Sequence, residues 1–392
     1  MRQGDSEKMV ARKITVVQVL PELESGGVER GTLEMGRCLA GQGHTSLVIS
    51  QGGQMVAELE NRGSRHLRMN WIGEKSPRCL LHLPALRRLF VSRRVDIVHL
   101  RSRLPAWVAL MAVKSLPPDR RPAVVTTFHG YYSVNAYSAV MTRGQKVIAI
   151  SRGIADHLRK VYGVARSRIR IIHRGIDENL FSPAGISDNR LARARAWMGV
   201  DDTRPLILLP GRVTFVKGHD LLLKALAGLK DLQWRAVFLG HRDTASRYCR
   251  ELESLRLRLG LSERVVFAPP FDDMPAAHAA STVVVSATSA RPEAFGRVVV
   301  EAQAMGKPVV ASAHGGSLET VRHGMTGFLF EPGDHLQLRR RLKQILNNRE
   351  TAEEMGRRGR RWVLQNFTTA NMCRKTMAVY REVLAARRLD SR

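Results

Sequence analysis

The sequence predicts an α/β protein made of two doubly wound parallel sheets in tandem, and three observations carry that prediction. Short β-branched runs alternate with helical stretches along most of the chain. Glycine-bearing loops close several of those runs, and the loop at a strand's carboxyl end is where open α/β sheets take ligands. The alternation breaks at a polar stretch near residue 180 and then restarts. At 392 residues the chain exceeds one ordinary domain, so a repeat of the same plan is the simplest use of its length.

Ile14-Thr-Val-Val-Gln-Val-Leu20 reads as the opening strand, followed by a loop ending in Gly26-Gly27 and a helix over Val28 to Gln42 that Gly43 stops. Thr45 to Ser50 is a second strand, Met55 to Arg62 a helix, Leu80 to Val91 another, and Val95 to Leu100 a strand. Ala123 to Phe128 closes with His129-Gly130, which places a histidine at a strand's carboxyl end ahead of the loop bearing Tyr131, Tyr132 and Tyr137. Lys146 to Ile150 precedes a helix that Ser151 can cap, and Ile169 to Ile172 ends the first series. The segment 173–183, with its polar residues, Gly175 and Pro183, is the best boundary. We therefore expect a first domain over 1–182, a second over 183–369, and a last helix over about 370–392 that packs back on the first domain.

The second series opens with the strand Pro205 to Pro210, then the loop Gly211 to Gly218 and a helix over His219 to Leu229. Trp234 to Leu239, a helix over Thr244 to Leu259 and Val265 to Ala268 continue it. Thr282-Val-Val-Val-Ser286 has the β-branched run of a buried parallel strand. The stretch 291–301 turns through Gly296 into a helix read from Glu301 to Gly306, and Pro308 to Ser312 is a further strand.

Composition narrows the function. Lys and Arg number 63 against 35 Asp and Glu, a net charge of +28. Residues 1–182 carry 29 basic and 14 acidic side chains and the remainder 34 and 21, so the charge is spread rather than gathered on an arm. Aromatics are only 6%, which argues against nucleic acid as partner and leaves anionic membrane surfaces, phosphorylated substrates, or an arginine-rich composition that implies no partner at all. The four cysteines form no C-x-x-C or Cys/His pattern, so a reducing cytoplasm is expected and a metal site is not. No apolar run reaches the roughly 20 residues of a membrane span, and the polar start Met1 to Glu7 lacks a signal peptide's apolar core.

Two constellations carry chemistry. Gly211-Arg212 with Lys217-Gly218 sets a guanidinium fork and a point charge over a helix N-terminus, an arrangement suited to a diphosphate; an ordinary solvated loop gives the same letters. Glu293 and Glu301, eight residues apart around Gly296, can each accept hydrogen bonds from vicinal hydroxyls of one extended ligand.

Glu293-Ala-Phe-Gly-x4-Glu301 resembles the E-x7-E signature of retaining glycosyltransferases of family 4. Gly26-Gly-Val-Glu-Arg30, His129-Gly130, Ser151, Arg174-Gly-Ile-Asp177 before Phe181-x-Pro183, Gly211-Arg with Lys217-Gly, Gly315-Gly-x-x-Glu319 and Gly327-Phe-Leu match in the same order. The resemblance implies the GT-B fold, two Rossmann-like domains with an interdomain cleft, and a nucleotide-diphosphate sugar as donor. It implies that Glu301 binds the ribose and Glu293 the donor sugar, and that Arg212 and Lys217 hold the diphosphate. Gly211 shapes that loop, Phe295 and Gly296 offer backbone amides, Gly26 and Gly27 close over the donor, and His129 contacts the sugar near its reactive carbon. No cofactor or metal is expected, because cations of the chain replace a divalent ion. The residue after Glu293 is Ala294 where proline is common, which loosens the turn without removing a functional group.

The acceptor side falls to the first domain. The three tyrosines either line a groove or pack beneath their loop, and Leu83 to Arg94, with Leu86, Leu89 and Phe90 beside four arginines, either covers a sheet or rests on an anionic membrane; covering a sheet is favoured. The expected function is transfer of a hexose to a lipopolysaccharide-core or lipid-linked glycan by a cytoplasmic, membrane-peripheral enzyme. The alternatives are a nucleotide-sugar 2-epimerase of the same fold and a non-catalytic basic protein that binds membrane or nucleic acid.

Overall fold

A computed structural model of the chain describes residues 12–24 and 26–390. The polar start Met1 to Glu7 and the last two residues lie outside them. Two compact units emerge, one formed by residues up to His173 together with those from Ala370 onward, the other by Arg174–Thr369.

The first unit holds a seven-stranded sheet in the order β3-β2-β1-β4-β5-β6-β7. Its strands are β1 Thr15–Val19, β2 Thr45–Ser50, β3 Arg65–Arg68, β4 Ile97–Leu100, β5 Ala123–Phe128, β6 Lys146–Ala149 and β7 Ile169–Ile171. Every pairing is parallel. Central strands are apolar because both faces are covered: β4 and β5 are buried throughout. β3, at the edge, is Arg-His-Leu-Arg and only half-buried, and this polar composition explains why the alternation read from sequence passes over it.

The helix Arg103–Lys114 is also unannounced by periodicity. Seven of its residues, including Val108, Ala109, Leu110 and Val113, are buried, so it is apolar nearly all round and shows no stripe. The helix Leu83–Ser92 packs against it. Leu86 and Phe90 are buried there, which fits a helix covering the fold and keeps those two side chains from any lipid surface. Ser151 caps the helix Arg152–Tyr162, its Oγ accepting from Ile154 N at 3.2 Å.

The last helix, Thr369–Asp390, lies on the first sheet. Tyr380 is fully buried, and its hydroxyl sits 2.7 Å from Nδ1 of the buried His99 in β4, whose Nε2 lies 2.6 Å from Thr127 Oγ1 in β5. Glu382 pairs with Lys146 (2.7 Å) and Arg170.

The second unit repeats the plan with six parallel strands ordered β10-β9-β8-β11-β12-β13. They are β8 Leu206–Pro210, β9 Arg235–Leu239, β10 Val265–Ala268, β11 Val283–Ser286, β12 Val309–Ser312 and β13 Gly327–Phe330. The division between units falls after His173, not after residue 182. The segment from Arg174 is tied into the second unit: Ile176 N donates to Phe367 O at 2.9 Å, Thr369 N donates to Ile176 O at 2.9 Å, and Phe181 is buried near His278.

Candidate functional site

In the second unit the stretch after β11 forms the site's frame. The helix begins at Arg297, directly after Gly296, four residues earlier than the sequence reading placed it. Glu301 is therefore one turn inside the helix Arg297–Ala304 instead of at its start. Gly315 and Gly316, which follow β12, explain the paired glycines: a Cβ on Gly316 would lie 2.4 Å from Phe295 Cα, so only bare backbone can approach that closely. Gly316 N donates to Glu293 O at 2.8 Å and fixes the turn. Phe295 is itself buried, 5.8 Å from the Phe367 ring, and anchors the loop with its side chain turned inward.

The loop after β8 supplies the facing wall. Gly218 sits at φ 69, and a Cβ there would come 2.0 Å from Ala287 O, just past β11. This contact seats the loop Gly211 to Gly218 on the neighbouring strand end. The Lys217 stem lies across Gly211, and its Nζ reaches Glu293 Oε2 at 2.8 Å. Lys217, Glu293, Gly296 and Arg297 share a cavity of about 100 Å³ at the carboxyl ends of β8 and β11, with Ser286 and Ala287.

Arg297 is absent from the sequence expectation; an arginine four residues before a glutamate is also the spacing of an exposed helix pair and does not stand out. Here its Nε donates to Glu301 Oε1 at 3.0 Å, and both side chains are largely buried. The fully buried His278 stands 3.8 Å from Glu301 Oε2. Burial alone pushes the Glu301 carboxyl upward, but His278 and Arg297 outweigh it and hold the group down to about 2. Glu301 is thus a fixed anion beside the cavity rather than in its lining. Arg212 is exposed, and among the described residues its guanidinium makes no hydrogen bond or ion pair. His219, which opens the helix His219–Ala227, is fully buried, edge-on to Phe238 at 5.0 Å, and burial lowers its imidazole to about 4.

In the first unit, Gly26, Gly27 and His129 stand at the carboxyl edge of the sheet. Gly26 precedes the helix Gly27–Gly41, and its carbonyl accepts from Arg30 N at 3.1 Å. His129 follows β5 and is half-buried. Tyr132 packs on Phe128, ring centroids 4.5 Å apart, and Tyr131 meets His157 at 5.3 Å. Arg103, not singled out by sequence, lies 4.8 Å from the Tyr132 ring and 5.2 Å from Tyr137, with Nη1 donating to Ser138 Oγ at 3.2 Å. These contacts hold the tyrosine loop to the helix that follows β4.

Two tandem Rossmann-like sheets, each with glycine-bearing loops at its carboxyl edge, and a Lys–Glu–Arg cavity in the second define the GT-B class of fold. Family models match both units: "Glycosyltransferase Family 4" over residues 25–180 and "Glycosyl transferases group 1" over residues 193–362. The crystal structure of a glycosyltransferase from Rickettsia africae ESF-5 is 33% identical, covers 95% of this chain and 99% of its own, and superposes with a TM-score of 0.86. The chain belongs to the group 1/family 4 glycosyltransferases.

A D-inositol 3-phosphate glycosyltransferase from Xylanimonas cellulosilytica is 35% identical over 198 residues, which are 50% of this chain and 47% of that one. The chain thus spans about half the length of this curated relative. Anabaena HepE in complex with UDP-glucose has the same fold at 23% identity and a TM-score of 0.79, over 95% of this chain and 100% of that one. No helix among the described residues is long and apolar enough to cross a membrane.

Proposed function

We propose that the chain is a retaining hexosyltransferase using a nucleotide-diphosphate sugar. The observation that carries this reading is the cavity in which Lys217, Glu293 and Arg297 meet at the carboxyl ends of β8 and β11. A cation and a carboxylate side by side suit a ligand whose diphosphate adjoins a polyhydroxylated ring. Lys217 turns from Glu293 to the diphosphate when the donor enters, and Glu293 accepts from the sugar hydroxyls. Glu301, ionised at any physiological pH, accepts from the ribose, and Arg212 adds a second cation over the phosphates.

In the step itself the bond from the anomeric carbon to the diphosphate oxygen breaks, and an acceptor hydroxyl forms the new bond on the same face. Its proton passes to the departing phosphate oxygen. Lys217 and Arg212 offset the negative charge that develops there. The backbone amides of Phe295 and Gly296, at the turn into the helix Arg297–Ala304, add further donors to the same ligand.

The acceptor we infer is a saccharide of a lipopolysaccharide core or a lipid-linked glycan. An inositol phosphate is the competing choice, because the curated relatives are named for it. Association with an anionic membrane belongs to the same proposal, supported by the +28 charge and by the exposed Arg87, Arg88, Arg93 and Arg94.

The test is a panel of UDP-, GDP- and ADP-sugars, first by thermal shift and then with acceptors of the three kinds, reading the anomeric configuration of the product by NMR. One donor should raise the melting temperature, and transfer should keep its configuration. Epimerised sugar without acceptor supports the epimerase instead. Absence of any thermal shift, combined with salt-sensitive nucleic-acid binding, supports the non-catalytic alternative.

A further inference from the structure

The first unit has a second cavity at the opposite edge of its sheet. It opens among residues that precede strands: Asp96 before β4, Pro122 before β5, and Arg143 and Gln145 before β6. Along β5 its lining reaches Val124, five residues and about 16 Å short of His129, so it takes no part in the chemistry proposed above. Its volume is about 890 Å³, within the range of about 300–1,000 Å³ usual for small-molecule sites.

The lining has two chemically different parts. Leu110, Val113 and Val124 form an apolar wall, and Leu384 of the last helix joins it. None of the lining residues is Phe, Tyr or Trp, so the cavity has nothing on which a nucleobase would stack. Around this wall stand cations whose engagement differs. Arg12 is held by Asp96 at 2.9 Å, and Asp96 also accepts from Thr15 N at 2.8 Å. Arg121 spends its guanidinium on the carbonyls of Leu116 (2.8 Å) and Lys114 (2.9 Å). Lys114, Arg143 and Arg387 have no side-chain hydrogen bond or ion pair among the described residues, and Asp119 is the one lining carboxylate outside the Arg12 pair. That carboxylate is 77% exposed and 4.0 Å from Arg120.

We propose that this cavity binds a single-chain anionic amphiphile, an alkyl or acyl chain ending in a phosphate or carboxylate. The chain lies along Leu110, Val113, Val124 and Leu384, and the head is held by Lys114, Arg143 and Arg387. Inorganic phosphate alone would leave the apolar wall wet, and an uncharged chain would leave Lys114 and Arg143 to solvent and Arg387 only the charge of Asp96, which Arg12 already holds. The site is independent of the donor reading and stands or falls separately.

Dodecyl phosphate below its micelle concentration is the probe, titrated into the full chain by calorimetry and thermal shift. Saturable one-to-one binding is expected, at least 10-fold tighter than that of dodecylphosphocholine and absent for inorganic phosphate. Arg143→Glu, at an exposed position, should weaken it at least 10-fold, and Lys114→Ala should weaken it several-fold as a milder second variant. Val113→Trp, which fills the wall, should also abolish it. Equal affinity for the zwitterionic analogue, unchanged affinity in Arg143→Glu and Lys114→Ala, or binding to phosphatidylglycerol vesicles with none to monomeric dodecyl phosphate would each overturn the proposal.

Discussion

Lys217 Nζ lies 2.8 Å from Glu293 Oε2, although 76 residues separate them in the chain. The two side chains are 31% and 24% exposed, and a pair so placed stabilises a fold by no more than about 1 kcal/mol. Under the proposed function, each residue keeps the other in place until the donor takes both. Lys217→Ala and Glu293→Gln should therefore shift the melting temperature by no more than about 4 °C while lowering kcat/KM by about 100-fold or more. Full activity in either variant would remove that residue from the donor site.

Gly218→Ala should act through stability first. The new Cβ would meet Ala287 O at 2.0 Å while also forcing a φ of 69 on a residue with a side chain. A loss of about 2–4 kcal/mol is expected. Gly306→Ala is the control, since it has φ 70 but open space around it and should cost only about 1–2 kcal/mol. Equal melting temperatures for the two variants would mean that the loop after β8 does not depend on its seat against β11.

His219 makes the second unit sensitive to acid. Its folded pKa, lowered to about 4 by burial, lies below the ordinary 6.5, so the unfolded chain binds the proton first as pH falls. Stability is therefore full above about pH 6.5 and declines down to about pH 4, by roughly 3 kcal/mol for this group. His219→Leu should flatten that part of a denaturation-against-pH series. A slope identical to that of the parent chain would show that the imidazole is not what titrates.

Tyr380→Phe tests the seat of the last helix. The change removes one hydroxyl, fills the same space, and takes away its 2.7 Å hydrogen bond with the buried His99 Nδ1. A loss of about 1–3 kcal/mol is expected in equilibrium unfolding. No measurable loss would mean that the last helix is held by the packing of its Met372, Met377 and Val383 in the core with Val16, Met35 and Ile97 and by the Glu382 ion pairs, without need of the hydroxyl.

What could be read in advance follows from how each feature writes itself into sequence. Ala123 to Phe128 and Thr282 to Ser286 were legible because a strand buried on both faces needs a β-branched run. Arg65–Arg68 was not, because an edge strand owes its place to backbone pairing, which any side chain permits. At the site, Lys217 and Glu293 stood out by type and context, and the structure joins them. Arg297 did not, since the same letters describe a solvated helix pair and only burial beside His278 distinguishes it. Arg212 was read as a partner of Lys217, yet it is exposed and outside the lining of the small cavity.

The hydrogen bonds between Ile176 and the Phe367–Thr369 backbone bear on how the chain is divided. They make the entry and exit of the second unit neighbours, so that unit is an inserted cassette with a single paired joint. Exchanging residues 174–369 for those of a relative, with this joint kept, should leave the strand order of the first sheet unchanged and let the last helix rejoin its own unit.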